Sequence, residues 1–462
     1  MSAHRIVIAG TGSGVGKTTF TIGLMAALQQ KGYIVQGFKC GPDYIDPTFH
    51  TAVTGRTSRN LDSWMFNDKT LMDILERSSR DSDISIIEGV MGFYDGKSPI
   101  EDRGSTAEIS ILTKSPVLLI VNCASMARSV AAIVKGFQLL NTNVNIVGII
   151  ANQVGSEGHF KMVKAAVEQE CGIPVVGYLK KEQNIHMPSR QLGLIPAIER
   201  GELQQFFYQL GVLINATVDV DKIYELSSSS ELPTIQPSIF EQKENQHVKI
   251  AVAKDAAFNF YYEENIELLK ANGATIEYFA PLDGETVPSD ADGLYIGGGF
   301  PEEFAKELSE QTAVKDSIHK AISSGLPTLA ECGGFMFLTE AIYSTEGERF
   351  EMAGCIPGTV QMQKKRAALG YREIFGTKGN FLIEEGQEAK GHEFHYSIYS
   401  KPEDVPHAYE TKSRFRKQEE GYMHENLIAG YTHFHFASNP ILAIQWIEQC
   451  KKYQKKAVIS HY

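Results

Sequence analysis

One run near the start of the chain constrains its fold more than any other feature: Gly10-Thr11-Gly12-Ser13-Gly14-Val15-Gly16-Lys17-Thr18-Thr19. An apolar stretch over residues 5–9 precedes it, and a helical pattern over residues 18–30 follows. Strand, glycine-rich loop and helix in that order make a phosphate cradle. The glycines let backbone amides turn toward phosphate oxygens, and the helix N-terminus adds partial positive charge. In such a loop Lys17 neutralises β- and γ-phosphate charge, and the Thr18 hydroxyl suits Mg²⁺. The strict pattern has Gly at position 11, where this chain has Thr11. An ordinary glycine-rich turn is the plainer reading, but the upstream strand and the Gly-Lys-Thr-Thr core favour nucleotide binding.

Three acidic residues at two sites bear on that cradle. Glu88 ends the apolar run Ile84-Ser85-Ile86-Ile87, which puts it at a strand's C-terminal end, where ligands bind in open α/β sheets. Asp43 and Asp46 lie in Lys39-Cys40-Gly41-Pro42-Asp43-Tyr44-Ile45-Asp46-Pro47, just past another strand candidate. Beside Gly and Pro they read equally well as turn formers.

A second constellation lies far downstream. Pro327-Thr328-Leu329-Ala330-Glu331-Cys332-Gly333-Gly334 reads as a short strand turning sharply at a cysteine flanked by glycines. Such an elbow exposes a nucleophile and leaves following amides free for an oxyanion. The turn Gly297-Gly298-Gly299-Phe300-Pro301-Glu302 and the segment Tyr431-Thr432-His433-Phe434-His435-Phe436 complete it. A thiol nucleophile needs a base, and His433 or His435 can serve; alternation along a strand puts both on one face. A lone cysteine is more often an inert core residue. Elbow and glycine turn together read instead as a thiol glutaminase.

The 462 residues exceed one core, so two domains of roughly 200 residues are expected. Alternating strand and helix patterns in the first half predict a parallel α/β sheet over residues 1–225. A polar, Ser- and Pro-bearing stretch over 226–247 reads as a linker, and a second α/β domain over 248–462 follows. With 43% hydrophobic and 22% charged residues, both should fold around sizeable cores. A net charge of −12 argues against nucleic acid and anionic membrane as partners. The six cysteines show no metal-binding spacing, and no segment reads as a secretory signal or membrane span. A soluble cytoplasmic chain is expected.

Together these residues resemble the cobyrinic acid a,c-diamide synthase family along nearly the whole chain. The resemblance rests on the phosphate cradle, residues 40–47, Glu88-Gly89-Val90-Met91-Gly92-Phe93-Tyr94-Asp95-Gly96 and Pro188-Ser189-Arg190-Gln191-Leu192-Gly193-Leu194. It continues through Lys254-Asp255-Ala256-Ala257-Phe258-Asn259-Phe260-Tyr261-Tyr262, the glycine turn, the cysteine elbow, Gly391-His392-Glu393-Phe394-His395-Tyr396-Ser397 and residues 431–440. The first half is also similar to dethiobiotin synthetase, the second to class I glutamine amidotransferases. The resemblance implies that ATP phosphorylates two acetate carboxylates of cobyrinic acid, and that ammonia from L-glutamine then amidates each. It implies Cys332 as nucleophile and His433 as base, with Gly299 and Gly333 amides as the oxyanion hole. It implies Thr18, Asp43 and Glu88 as Mg²⁺ ligands, Asp43, Tyr44 and Asp46 as substrate-binding residues, and Asn152 as an adenine reader. A homodimer is compatible with it.

The chain departs from the family pattern at Gln191, where His is common. It also departs from class I glutaminases at His435, where Glu often follows the catalytic His by two. A Cys–His dyad is therefore expected rather than a triad. Hydrogenobyrinic acid and nickel sirohydrochlorin are alternative substrates for the same motifs. A cobyric acid synthase would carry an Asn-rich segment at Gly41-Pro42-Asp43-Tyr44. A partitioning-type switch ATPase would carry a second Lys early in the loop, and none lies between Gly10 and Gly16.

Overall fold

Seven apolar strands in the first half assemble as one parallel sheet, because strands covered on both faces must be apolar on both. They are β1 (Arg5–Gly10), β2 (Val35–Cys40), β3 (Arg59–Leu61), β4 (Ile84–Glu88), β5 (Val117–Asn122), β6 (Ile146–Val154) and β7 (Val175–Lys180). The order is β3-β2-β4-β1-β5-β6-β7, every neighbouring pair parallel. The first helix, α1 (Lys17–Gln30), springs from the loop after β1, and its residues from Phe20 to Leu28 are buried. The short helix α2 (Asp46–Thr54) follows β2 and carries Pro47 in its first turn, where a missing N–H costs nothing. Strand order thus brings the ends of β1, β2 and β4 side by side at one edge of the sheet.

This is a computed structural model; it describes residues 4–181, 189–190, 193–194, 203–242, 247–414 and 416–460. Gln191 lies outside them. The chain separates into two compact units, Met1–Ser238 and Ile239–Tyr462. The first part of the expected linker is fastened to the first unit. Ser227 O accepts from Arg5 N at 2.8 Å, Ser230 O accepts from the Arg5 guanidinium at 2.8 Å, and Ser238 Oγ donates to Asp73 at 2.7 Å.

The second unit has its own six-stranded sheet, running Ala274–Phe279, Val248–Ala253, Gly293–Ile296, Thr328–Glu331, Leu427–Gly430 and Tyr422–His424. All pairs are parallel except the last. A five-stranded antiparallel sheet includes Ala368–Gly376 and Glu388–His395 and ends on the two-residue strand His433–Phe434. A further four-stranded sheet is formed by Arg349–Glu351, Thr339–Tyr343, Ile356–Met362 and Ser397–Ser400. Among the described residues no helix is long and apolar enough to cross a membrane.

Candidate active sites

The phosphate loop leaves β1 and enters α1 through Gly16, whose φ of 92° lies in the left-handed region that glycine tolerates. Ser13 and Gly14 are exposed at its tip, Thr11 and Gly12 are half-buried, and Val15 packs inward. Lys17 is buried, and its ammonium donates to Gly12 O at 2.9 Å and Met91 O at 2.5 Å. Burial lowers Lys17 to about 8, assisted by the charge of Lys39 and opposed by Glu88, Asp46 and Asp95. Thr19 lies in the first turn of α1, half-buried.

Asn152, expected to read adenine, braces the loop: its Nδ2 donates to Val15 O at 2.7 Å and its Oδ1 accepts from Gln153 N at 2.8 Å.

Beneath the loop lies a buried charge cluster. The Thr18 hydroxyl donates to Glu88 Oε1 at 2.6 Å and lies 3.3 Å from Asp46 Oδ2. The Lys39 ammonium donates to Asp46 Oδ2 at 2.5 Å and Glu88 Oε1 at 2.8 Å. The other Glu88 oxygen faces His50 Nε2 at 2.7 Å. An ionised carboxylate only accepts, so Nε2 donates to it, while Nδ1 lies 3.2 Å from the Ser58 hydroxyl. Asp46 and His50 stand one turn apart on α2 and so share a face. Burial opposes charge on Glu88, but Lys39 and His50 hold it well below the ordinary carboxylate range. Burial also opposes charge on Lys39, which Asp46 and Glu88 keep protonated. On Asp46, burial and the neighbouring Asp43 push upward while Lys39 pulls back.

Asp43 departs from expectation. Its Oδ1 accepts from Ile45 N at 2.8 Å and Asp46 N at 3.0 Å, shaping the entry to α2. A short acidic side chain satisfies nearby amides in such a turn. Asp46, not Asp43, reaches Thr18. Tyr44 is buried at 8% exposure. Asn60 Nδ2 pins this loop by donating to Gly41 O at 2.7 Å and Asp43 O at 2.8 Å.

No group of three or more His, Cys, Asp or Glu among the described residues is arranged to hold a metal. The donor set nevertheless suits magnesium, which takes few protein oxygens and leaves other positions to water and phosphate. A hydroxyl and two carboxylates gather here, and a resident ammonium shows that the pocket holds positive charge.

In the second unit the elbow is explicit. Cys332 sits between the strand Thr328–Glu331 and the helix Gly333–Leu338 with φ 48° and ψ −103°, a strained conformation for a residue with a side chain. Its amide donates to Gly430 O at 2.7 Å, and its thiol donates to Phe394 O at 3.7 Å. The helix N-terminus presents the Gly333 amide to the sulfur. Gly299 has φ 157°, and a β-carbon there would lie 1.9 Å from Ala257 O, so no other residue fits. A β-carbon on Gly333 would lie 3.0 Å from Gly299 N, so these two backbones are in contact beside the thiol. A β-carbon on Gly298 would lie 2.2 Å from His433 Cε1, so the imidazole packs on the same glycine turn. Through the glycine turn, Cys332, His433, Gly299 and Gly333 are therefore brought into one neighbourhood.

Cys332 rests as a thiol: burial raises it well above its ordinary range, with Glu302 and Glu393 adding to the effect. Burial lowers His433 to about 3, with His392 and His395 contributing, so the imidazole rests neutral. His435 follows the last strand residue, Phe434; its ring lies tilted against Tyr262 with centroids 4.2 Å apart, and its Nε2 is 3.8 Å from Glu264. Next to Cys332, the His395 ring lies 2.8 Å from both Glu393 Oε1 and Ser397 O, and Arg372 pairs with the other Glu393 oxygen.

Sequence reasoning did not single out Lys39 and His50, which the structure places in the buried charge cluster, or Glu331, which it places beside the elbow. For Lys39 and Glu331 the available signal was a charge at the end of an otherwise apolar strand.

Residues 6–195 match the CobQ/CobB/MinD/ParA nucleotide binding domain, and residues 249–441 match the CobB/CobQ-like glutamine amidotransferase domain. The chain is 63% identical over 456 residues to a cobyrinate a,c-diamide synthase of Priestia megaterium, covering 99% of both chains. It is 40% identical to that of Thermoplasma volcanium over 100% of both, and 42% identical to that of Dehalococcoides mccartyi over 98% of this chain and 99% of the relative. Carrying both a phosphate cradle and a thiol elbow, and matching these relatives from end to end, the chain belongs to the cobyrinate a,c-diamide synthase family.

Proposed function

We propose that this enzyme converts the a and c acetate carboxylates of cobyrinic acid to amides, using ATP and L-glutamine. What carries the reading is the presence on one chain of the Lys17–Thr18–Glu88 cradle and the Cys332–His433 elbow. A carboxylate is a poor electrophile, so nitrogen cannot displace its oxygen directly. Transfer of the γ-phosphoryl group from ATP to a carboxylate oxygen gives an acyl phosphate and ADP. Ammonia then attacks the acyl carbon, and inorganic phosphate departs.

In the first unit Lys17 exchanges its resting carbonyl partners for nucleotide phosphate oxygens, stabilising charge as the phosphoryl group moves. Asn152 keeps the loop in shape for that contact. Thr18, Glu88 and Asp46 would hold magnesium, which when bound neutralises phosphate charge. Asp43 sets the backbone of the Tyr44 loop beside the incoming carboxylate.

In the second unit the Cys332 sulfur attacks the glutamine side-chain amide while His433 takes the thiol proton. The oxyanion is met by the amides of Gly299 and Gly333. His433 returns the proton to the leaving ammonia, and water then releases glutamate from the thioester.

The test is direct. Purified enzyme with ATP, Mg²⁺ and glutamine is offered cobyrinic acid, hydrogenobyrinic acid and nickel sirohydrochlorin separately, and products are followed by mass. Two successive carboxylate-to-amide conversions of cobyrinic acid are expected. Conversion of another tetrapyrrole with cobyrinic acid untouched would overturn the substrate assignment.

A further inference from the structure

Glu331 is 2% exposed and immediately precedes Cys332. Its Oε1 accepts from Phe434 N at 2.8 Å, and Phe434 is the neighbour of His433. Its Oε2 accepts from the Tyr295 hydroxyl at 2.8 Å. Tyr295 lies in the strand Gly293–Ile296, which runs straight into the Gly297–Gly298–Gly299 turn. One carboxylate is therefore joined covalently to the nucleophile and by single hydrogen bonds to the backbone beside the base and to the strand feeding the oxyanion turn.

The second hold on Phe434 comes from Asn265, whose Nδ2 donates to Phe434 O at 2.8 Å and whose Oδ1 accepts from Phe436 N at 2.8 Å. His433 needs such support, because its strand is two residues long and pairs only with Gly391 and His392. Where a triad carboxylate orients the imidazole ring itself, this chain has His435, whose ring lies against Tyr262.

We propose that Glu331 is the positioning residue of the glutaminase: it fixes nucleophile, base and oxyanion turn relative to one another through the backbone. This rests on the assignment of Cys332 and His433 above. The partners of Glu331 are a backbone N–H and a hydroxyl, so either an ionised or a protonated carboxyl can hold them. A glutamine side chain keeps an acceptor oxygen for Phe434 N–H. Alanine keeps nothing.

Glutaminase activity of the full chain is measured for Glu331→Ala and Glu331→Gln, with Cys332→Ala as reference. A misplacement of about 1 Å can cost roughly 100-fold in rate. The expectation for Glu331→Ala is therefore a fall of about 100-fold in kcat, with KM for glutamine within about threefold and ammonia-dependent amidation unchanged. Glu331→Gln is expected to restore kcat to within about fivefold of the parent. A kcat within threefold of the parent for Glu331→Ala, no rescue by Glu331→Gln, or a loss expressed in KM alone would overturn the proposal. Should Glu331→Ala not fold, Tyr295→Phe decides by the same split: it keeps the ring and removes only the hydroxyl. A fivefold or larger fall in kcat at constant KM supports the proposal, and an unchanged kcat overturns it. If Cys332→Ala itself retained glutaminase activity, the assignment of the nucleophile would fall first. If Cys332→Ala is inactive and Glu331→Ala is not impaired, only the positioning role falls.

Discussion

Lys39 and Glu88 form an ion pair 2.8 Å long, with 4% and 0% of their side-chain surfaces exposed. The pair lies beside the hydroxyl of Thr18, in the place where a nucleotide's cation would be wanted. Desolvating both charges is expensive, and the arrangement is tolerable because every Glu88 oxygen has a donor: Thr18 and Lys39 on one, His50 on the other.

Breaking that pair from one side should therefore cost more than removing both charges. Lys39→Met is expected to destabilise the first unit by about 3–5 kcal/mol, since it leaves Glu88 buried without its cation. Adding Glu88→Gln should return part of that loss, so the two effects will not sum. Urea unfolding of the two single variants and the double variant measures the coupling, and simple additivity would contradict it.

The two chemistries should separate by mutation. Cys332→Ala is expected to abolish glutamine-dependent amidation while ammonia-dependent amidation continues. Lys17→Ala is expected to lower amidation from either nitrogen source by roughly 10²- to 10⁴-fold, leaving basal glutamine hydrolysis at Cys332. Initial rates with glutamine and with ammonium chloride distinguish the two patterns.

Burial pushes Glu331 up to about 8, against the pull of the Phe434 amide and the Tyr295 hydroxyl. Between its ordinary range and that value the folded chain holds a proton that the unfolded chain releases. Folding stability contributed here is thus greatest at low pH and falls as pH rises toward 8. Glu420, raised to about 7 by burial, acts in the same sense. Calorimetry at mildly acidic, neutral and mildly alkaline pH should show a shallower decline for Glu331→Gln than for the parent chain.

Tyr44 lies between Asp43 and Asp46 on the loop that follows β2. Its ring is buried in that loop, so Tyr44→Ala is expected to loosen the neighbouring carboxylate site. The less well held second acetate should fail first, with one monoamide accumulating. A time course resolving mono- and diamide checks this, and an unchanged ratio would count against it.

Features that the backbone demands locally were legible in the sequence. The phosphate loop needs Gly14 and Gly16 at positive φ, and the elbow needs Gly333 because Gly299 and Pro301 crowd it. Those demands leave residue types at fixed spacing. Partners brought together by strand order leave almost none. Lys39 and Glu88 meet because β2 and β4 are neighbours, and Glu331 meets Phe434 across separate sheets. Alternation could not say what His435 meets, because the strand gives way to the 3-10 turn Phe436–Ser438 and the contact with Tyr262 comes from a distant segment. For Asp43 the turn-forming reading, one of the two left open, is what the structure displays, since its nearest amides claim Oδ1.

The ammonium of Lys39 gives the cradle a permanent counter-ion. Proteins whose ligands are neutralised only by metal unfold when a chelator removes it. Here one ammonium already stands between the two acids, so the sheet edge is expected to close without magnesium or nucleotide. On that footing, assembly of the fold need not wait on loading of the reaction.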